Sequence, residues 1–241
     1  MRTAIMQPYL LPYLGYYQLV NAVDIFVFYD DVHFITKGYI NRNAILVNGN
    51  SFTFTVPLSK ASQNVLIKDV AVHQKDYAKW WAKFKKTLTQ SYISAPFFDD
   101  TMCLMENIFQ DPSNSIAVLA EKSIRTISDY LDFSTVFKKS SEVSYDRNAA
   151  GEKKIMELCA IFGADTYINP IGGKELYTST SFKKKDMELL FLKSRNVTYP
   201  QKTEKFTPSL SIIDVLMHNN KAEILELIEA FELIKTAEHG N

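Results

Sequence analysis

The run Ile25-Phe26-Val27-Phe28-Tyr29 is apolar at five consecutive positions and is built of β-branched and aromatic side chains. Successive side chains of a strand point to opposite faces, so a run without alternation has to bury both faces at once. That requirement selects a parallel sheet covered by helices above and below, and it constrains this chain more than any other feature. The preceding residues supply the rest of the unit. Thr3-Ala4-Ile5-Met6 can form a strand, and Gln7-Pro8 ends its regular pairing. A helix can begin at Pro12, with Gly15 allowing a close approach, and Leu14, Tyr17, Leu19, Val20, Ala22 and Val23 give it an apolar face up to Asp24. Strand, helix, parallel strand is the economical reading. Asp30 and Asp31 come directly after the second strand, at the carboxyl end where open α/β sheets hold ligands.

The pattern then changes. Ala44–Val47 and Ser51–Pro57 are β-rich and are joined by Asn48-Gly49-Asn50, a strong hairpin signal. Tyr77, Trp80, Trp81, Phe84 and Leu88 recur at helical spacing, as do Ile116, Leu119, Ala120, Ile124, Ile127 and Leu131. A third unit follows: Ile155, Leu158, Cys159 and Phe162 on one helix face, Gly163 as its cap, and Thr166–Ile168 as a strand. Met187–Leu192 reads as another buried strand, and Ser211–Ile234 as two short helices, the second burying Ile224, Leu227, Ile228, Phe231 and Ile234. The expectation is one α/β domain over residues 1–241. Its core is a Rossmann-like parallel sheet with a β-hairpin, a helical insertion at about 75–133 and C-terminal helices at about 209–235.

Composition removes several function classes. The 27 Lys and Arg equal the 27 Asp and Glu, so no bulk field steers the chain to a nucleic acid or an anionic membrane. Apolar runs fall far short of the roughly 18 to 20 residues that span a bilayer, and Met1-Arg2-Thr3 leads into no secretory segment, so a cytoplasmic protein is expected. Cys103 and Cys159 read as buried thiols, and the histidines His33, His73, His218 and His239 are too dispersed for a metal motif. No motif gives a firm metal signal, the cofactor and any metal dependence stay open, the expected partner is a small-molecule substrate, and the oligomeric state is open.

Three stretches carry candidate chemistry. Met6 to Tyr16 has the form of a ligand loop between a strand and a helix N-terminus, where backbone N–H groups favour an anion. Alternation lets only one of Asp30 and Asp31 face that cleft, as a general base or as a ligand for a hydroxyl, amine or metal. The second stretch gathers Lys37, Tyr39, Asn41, Arg42 and Asn43, types suited to phosphate, sugar hydroxyls and ring stacking, or equally to a solvated hairpin edge. In the third, Asn169 to Tyr177, Gly172 and Gly173 can wrap a ligand with bare backbone, although Glu175 after Lys174 excludes a P-loop.

These residues carry a resemblance. Met6-Gln7-Pro8-Tyr9, Pro12-Tyr13-Leu14-Gly15-Tyr16, Tyr29-Asp30-Asp31-Val32, Asn41-Arg42-Asn43, Gly163 to Asn169 with Gly172-Gly173, and Leu210 to Asp214 together resemble the WbqC-like family over nearly the whole chain. The resemblance implies a bacterial protein of O-antigen or other surface (lipo)polysaccharide biosynthesis, and a glycine or aminoacyl transferase acting on an amino sugar. His33 stands where the family commonly has glutamine, which argues against an obligatory acid/base role for it. More distantly, strand, Gln-Pro, loop and Tyr13-Leu14-Gly15-Tyr16 are similar to nucleotidyltransferases of the H-x-G-H type, with Tyr13 and Tyr16 in place of the two histidines. The function expected is therefore transfer of an acyl or aminoacyl group, such as glycyl, to the amine of a nucleotide-linked amino sugar. Asp30 or Asp31 takes the proton, and Asn41 or Asn43 assists at the oxyanion. Lys37 and Arg42 meet phosphate, and Gln7, Tyr9, Tyr13, Gly15, Tyr16, Gly172, Gly173 and Tyr177 line the substrate. The alternatives are a nucleotidyltransferase or ATP-dependent ligase, or a non-catalytic sugar-nucleotide-binding protein.

Overall fold

The computed structural model describes residues 1–111 and 113–235. Strand β1 (Arg2–Met6), helix α1 (Leu14–Asn21) and strand β2 (Ile25–Phe28) form the expected unit, the strands parallel from Thr3 opposite Ile25 to Met6 opposite Phe28. Both faces are buried. Ala4, Phe26 and Phe28 enter the larger apolar core, while the alternate residues Ile5 and Val27 enter a second one. Each of the larger side chains, Ile5, Phe26, Val27 and Phe28, gains about 1.5–3 kcal/mol on leaving water, which favours an unbroken apolar run.

Strands β3 (Arg42–Val47) and β4 (Asn50–Thr55) form the hairpin. Asn48 and Gly49 both take positive φ, +50° and +75°, the turn whose twist matches that of the flanking strands. Two short strands, β5 (Leu58–Ser59) and β6 (Ala71–Val72), then pair with each other, an element that no periodicity announced. Helices α2 (Gln74–Tyr92), α3 (Phe98–Phe109) and α4 (Ile116–Tyr130) follow. Phe84 of α2 stacks on Phe54 of β4 at 4.4 Å between centroids and so fixes the hairpin to the helices. Cys103, expected inside, is exposed on α3.

After α4 the chain returns to the sheet as β7 (Val136–Lys139), parallel to β2 and not foreseen, because Val-Phe-Lys-Lys is short and half polar. Helix α5 (Gly151–Ile161) covers the second face with Ile155, Leu158 and Cys159, and burial pushes the Cys159 thiol up to about 12. Gly163, at φ +72°, turns the chain into β8 (Thr166–Pro170). Helix α6 (Ser179–Lys183) and strand β9 (Glu188–Ser194) complete a second crossover, with β9 parallel to β8. The end differs from expectation. Helices α7 (Ile212–His218) and α8 (Lys221–Glu229) form, but Phe231–Ile234 is strand β10, antiparallel to β9, and not the end of a helix. Ala230, at φ −78° and ψ +60°, leaves helical geometry, and the period-two segment Phe-Glu-Leu-Ile caps an edge of β9 that would otherwise stay unpaired.

The six-stranded sheet runs in the order β10-β9-β8-β1-β2-β7 and is parallel except at β10, a mixed α/β architecture with a Rossmann-like core. Helix α7 is anchored by a fully buried carboxylate. Asp214 accepts from the Tyr92 hydroxyl, the Tyr199 hydroxyl and Gln201 Nε2, each at 2.8 Å, and Tyr92 also accepts from Leu46 N at 2.9 Å. Three elements thus meet on one side chain. We expect Asp214→Ala, which strands three donors, to lower the unfolding free energy by on the order of 3 kcal/mol and Tyr199→Phe by about 1 kcal/mol, as read from urea titrations.

Candidate functional site

From β1 the chain crosses toward β2, whereas from β8 it crosses toward β9 on the other side. The loops leaving these two neighbouring strands therefore diverge, and a crevice opens at their carboxyl ends. That crevice is a cleft of about 440 Å³. Ile5, Met6, Gln7, Tyr9 and Tyr13 enter it from β1 and its loop, and Asn169, Pro170, Gly172, Gly173, Leu176 and Tyr177 from β8 and its loop. Tyr29 at the end of β2, Tyr39 and Ile155 complete the wall. The lining holds five tyrosines and two side-chain amides and no charged residue. Among the described residues no group of three His, Cys, Asp or Glu could hold a metal ion, and no helix is long and apolar enough to cross a membrane.

The loop after β1 is held rigidly from behind. Leu11 takes φ +43°, costly for a residue with a side chain, and its backbone is pinned on both sides. Its N–H donates to Ser123 Oγ at 3.1 Å, and its carbonyl accepts from Asn43 Nδ2 and Ser211 Oγ, both at 2.8 Å. Asn43 also donates to the Leu10 carbonyl at 3.3 Å, and Asn41 donates to the Val56 carbonyl at 3.0 Å. Both asparagines are buried, shape the loop, and lie outside the cleft lining. Tyr16 is buried behind the wall, its hydroxyl donating to the Gln7 carbonyl at 2.8 Å and its ring 5.5 Å from that of Tyr9. Gly15 lines a separate cavity of about 190 Å³ beside Ser194 and Arg195. A β-carbon there would lie 2.8 Å from the Tyr13 ring, so the glycine is what lets Tyr13 fold against α1.

The two lips of the mouth differ. On one, Tyr39 is positioned by its carbonyl, which accepts from Leu10 N at 3.0 Å, and its ring lies 5.6 Å from Tyr9. Arg42 does not point into the cleft; its guanidinium donates to the carbonyls of Gly38 and Lys37 and closes that turn. Lys37 is exposed beside it. On the other lip, Asn169 accepts from the Tyr167 hydroxyl at 3.1 Å and donates to the Pro170 carbonyl at 3.2 Å. A β-carbon on Gly173 would sit 2.1 Å from Asn169 Nδ2, so the glycine makes room for that amide.

Asp30 and Asp31 are buried and face away from the lining, toward the segment after β7. Asp30 accepts from Ser141 N at 3.1 Å, Ser141 Oγ at 2.8 Å and Ser140 Oγ at 3.3 Å. Asp31 accepts from Ser140 Oγ, from the Tyr145 hydroxyl at 2.8 Å and from Arg147 Nε at 2.7 Å. Of the residues proposed from sequence, Gln7, Tyr9, Tyr13, Gly172, Gly173 and Tyr177 converge on the cleft, whereas Gly15, Tyr16, Asp30, Asp31, Lys37, Asn41, Arg42 and Asn43 lie outside its lining. Tyr29, Tyr39 and Asn169 stood within the quoted stretches; Tyr145 and Arg147 did not, because they follow a strand that the sequence did not announce.

Burial is the first cause that raises the phenols of Tyr9, Tyr13, Tyr29 and Tyr177 above their ordinary value of 10. The cleft therefore stays neutral throughout the physiological range. In the unfolded chain these phenols ionise near 10, so above that pH the folded state binds more protons and stability falls as pH rises. We expect an unfolding free energy that is unaffected by the tyrosines below pH 10 and drops from pH 10 to 11, measured by denaturant titration at each pH. We also expect Gly173→Ala to displace the Asn169 amide and cost roughly 1–3 kcal/mol, with the thermal midpoint as the check.

No solved structure matches the chain. A protein of Mycobacterium tuberculosis, described as uncharacterized protein Rv1507c, is 24% identical over 221 residues, which cover 90% of this chain and 93% of that one. The model of the WbqC-like protein family matches residues 7–226, from the first cleft residue of the β1 loop into α8. The chain belongs to the WbqC-like protein family.

Proposed function

We propose that this protein is a cytoplasmic transferase that places an acyl or aminoacyl group, such as glycyl, on the amine of a nucleotide-linked amino sugar used for surface polysaccharide. The observation that carries the reading is the neutral cleft at the sheet's switch point, walled by tyrosines and amides. Aromatic faces and amide groups suit a sugar or base ring, whose hydroxyls and edges need hydrogen bonds but no counter-charge. Tyr9 and Tyr39 supply ring faces, Gln7 and Asn169 supply amides, and Gly172 exposes backbone. Charge for a diphosphate is assigned to two exposed lysines adjacent in sequence to lining residues, Lys37 two residues before Tyr39 and Lys174 directly after Gly173. Arg42 contributes by holding the Lys37 turn. The burial of Tyr16 behind the wall favours this reading over nucleotidyl transfer, which needs two groups on the phosphates.

The test is incubation with nucleotide-linked amino sugars and aminoacyl or acyl donors, read by mass spectrometry, alongside a thermal-shift screen of the same sugars. We expect a product heavier by the acyl group, and a melting temperature raised by the acceptor. Tyr39→Ala, which removes one stacking face, should raise KM roughly tenfold with little change in melting temperature. Neither product nor stabilisation across the panel would sink the proposal.

A further inference from the structure

The amides that the sequence offers for a developing negative charge are already occupied. Asn43 donates to the carbonyls of Leu10 and Leu11, Asn41 donates to that of Val56, and neither lines the cleft. Two other side-chain amides do, those of Gln7 and Asn169. Gln7 is half-buried, and among the described residues no hydrogen bond fixes its side chain. Asn169 is only 6% exposed and is tied at both ends of its amide.

The orientation of the Asn169 amide follows from counting donors. The Pro170 carbonyl only accepts, so the end of the amide 3.2 Å from it is Nδ2 and the other end is Oδ1. The Tyr167 hydroxyl, 3.1 Å from Oδ1, therefore donates to it, and does so from the second apolar core, where Tyr167 is fully buried. A β-carbon on Gly173 would lie 2.1 Å from Nδ2, 3.3 Å from Cγ and 3.7 Å from Oδ1. The amide thus turns its nitrogen end to Gly173, which lines the cleft, and its oxygen end to the core. Nδ2 carries two protons, and the Pro170 carbonyl takes one. Among the described residues no second acceptor stands within hydrogen-bonding distance of Nδ2. Asn169 offers the cleft one N–H, held from behind, and a buried donor without an acceptor is a deficit that a ligand oxygen makes good.

We infer that Asn169 is the carbonyl-binding residue of the cleft, its open N–H donating to the oxygen of the acyl group that is transferred. The inference rests on the amine-acylation reading above and names the group that meets the acyl carbonyl. The neutral amine nitrogen of the sugar attacks the carbonyl carbon of an ester or thioester donor, the new C–N bond forms, and the carbonyl π pair moves onto oxygen. The hydrogen bond from Asn169 strengthens as that oxygen gains charge. When the pair returns, the bond to the leaving oxygen or sulfur breaks, and that group departs as an alcohol or thiol with the proton that nitrogen loses. The amide so formed keeps its carbonyl oxygen on Asn169. Tyr167 is a positioning residue that acts by holding Oδ1, and Gly173 leaves Nδ2 its space. A donor aligned before the charge develops needs no reorganisation at the moment of reaction, which is the advantage of Asn169 over Gln7.

Binding to the full chain tests this, with two nucleotide sugars that differ at one nitrogen. Uridine diphosphate N-acetylglucosamine carries the amide carbonyl, and uridine diphosphate glucosamine lacks it. In protein labelled at asparagine Nδ2, the Asn169 amide is identified by its loss in Asn169→Ala. The acetylated sugar should move downfield the amide proton that Pro170 does not hold, and the free amine should leave that proton in place. Asn169→Ala should weaken binding of the acetylated sugar roughly tenfold and of the amine less than about twofold. Tyr167→Phe keeps the core filled and releases only Oδ1; it should weaken the acetylated sugar selectively as well, and it carries the test should Asn169→Ala fail to fold. An acetylated sugar that binds the wild type without moving the proton, that binds the variants as tightly, or that fails to bind where the amine binds overturns the assignment and leaves the transferase reading standing. Equal weakening of both sugars does the same. Binding of neither sugar to the wild type overturns the reading, and the assignment with it.

Discussion

The placement of β1 between β2 and β8 decides the rest of the molecule. Parallel strands need long crossovers, and crossovers take one hand, so a strand paired on both sides sends its loop one way while its neighbour sends its loop the other. The crevice is a by-product of that divergence. Among the described residues no lining residue takes a positive φ, and the left-handed positions nearest in sequence, Leu11 and Lys37, lie in the loops that support the wall and one lip.

The features most visible in the sequence are those written in short-range pattern. The unbroken run at 25–29 demanded burial on both faces, and the alternate entry of Ala4 and Ile5, and of Phe28 and Val27, into two cores meets that demand residue by residue. Asn48-Gly49 announced the hairpin because two adjacent positive φ values leave few other residues possible. β7 and β10 were not visible, and for the same reason: each is an edge strand of four residues with polar members, whose pairing is decided by a partner far away in the chain. Of the site, the glycines and tyrosines of the two loops could be placed because loop ends after strands are predictable positions. The actual partners of Asp30 and Asp31 could not, because Ser140, Tyr145 and Arg147 lie more than a hundred residues further along the chain.

The polar side chains near the cleft divide into two layers. Asn41, Asn43, Arg42 and Tyr16 give their hydrogen-bonding capacity to backbone carbonyls, which makes them shape-determining groups. The cleft lining itself is neutral, and the buried charge pair of Asp31 and Arg147 lies outside it. A balance of 27 positive and 27 negative residues over the whole chain is compatible with this layering, since the cleft needs no net charge of its own.

The lips of the mouth are unequally tied. The lip carrying Tyr39 is fastened by the Arg42 guanidinium and by Leu10 N, whereas between Ile171 and Leu176 no hydrogen bond reaches another element among the described residues. Ordering a loop at the moment of binding costs free energy that a loop already ordered does not. On the proposed reading, the fixed lip is the template against which a sugar or base ring is registered and the Gly172-Gly173 lip the side from which it enters, so that discrimination would fall to the first and the rate of exchange to the second.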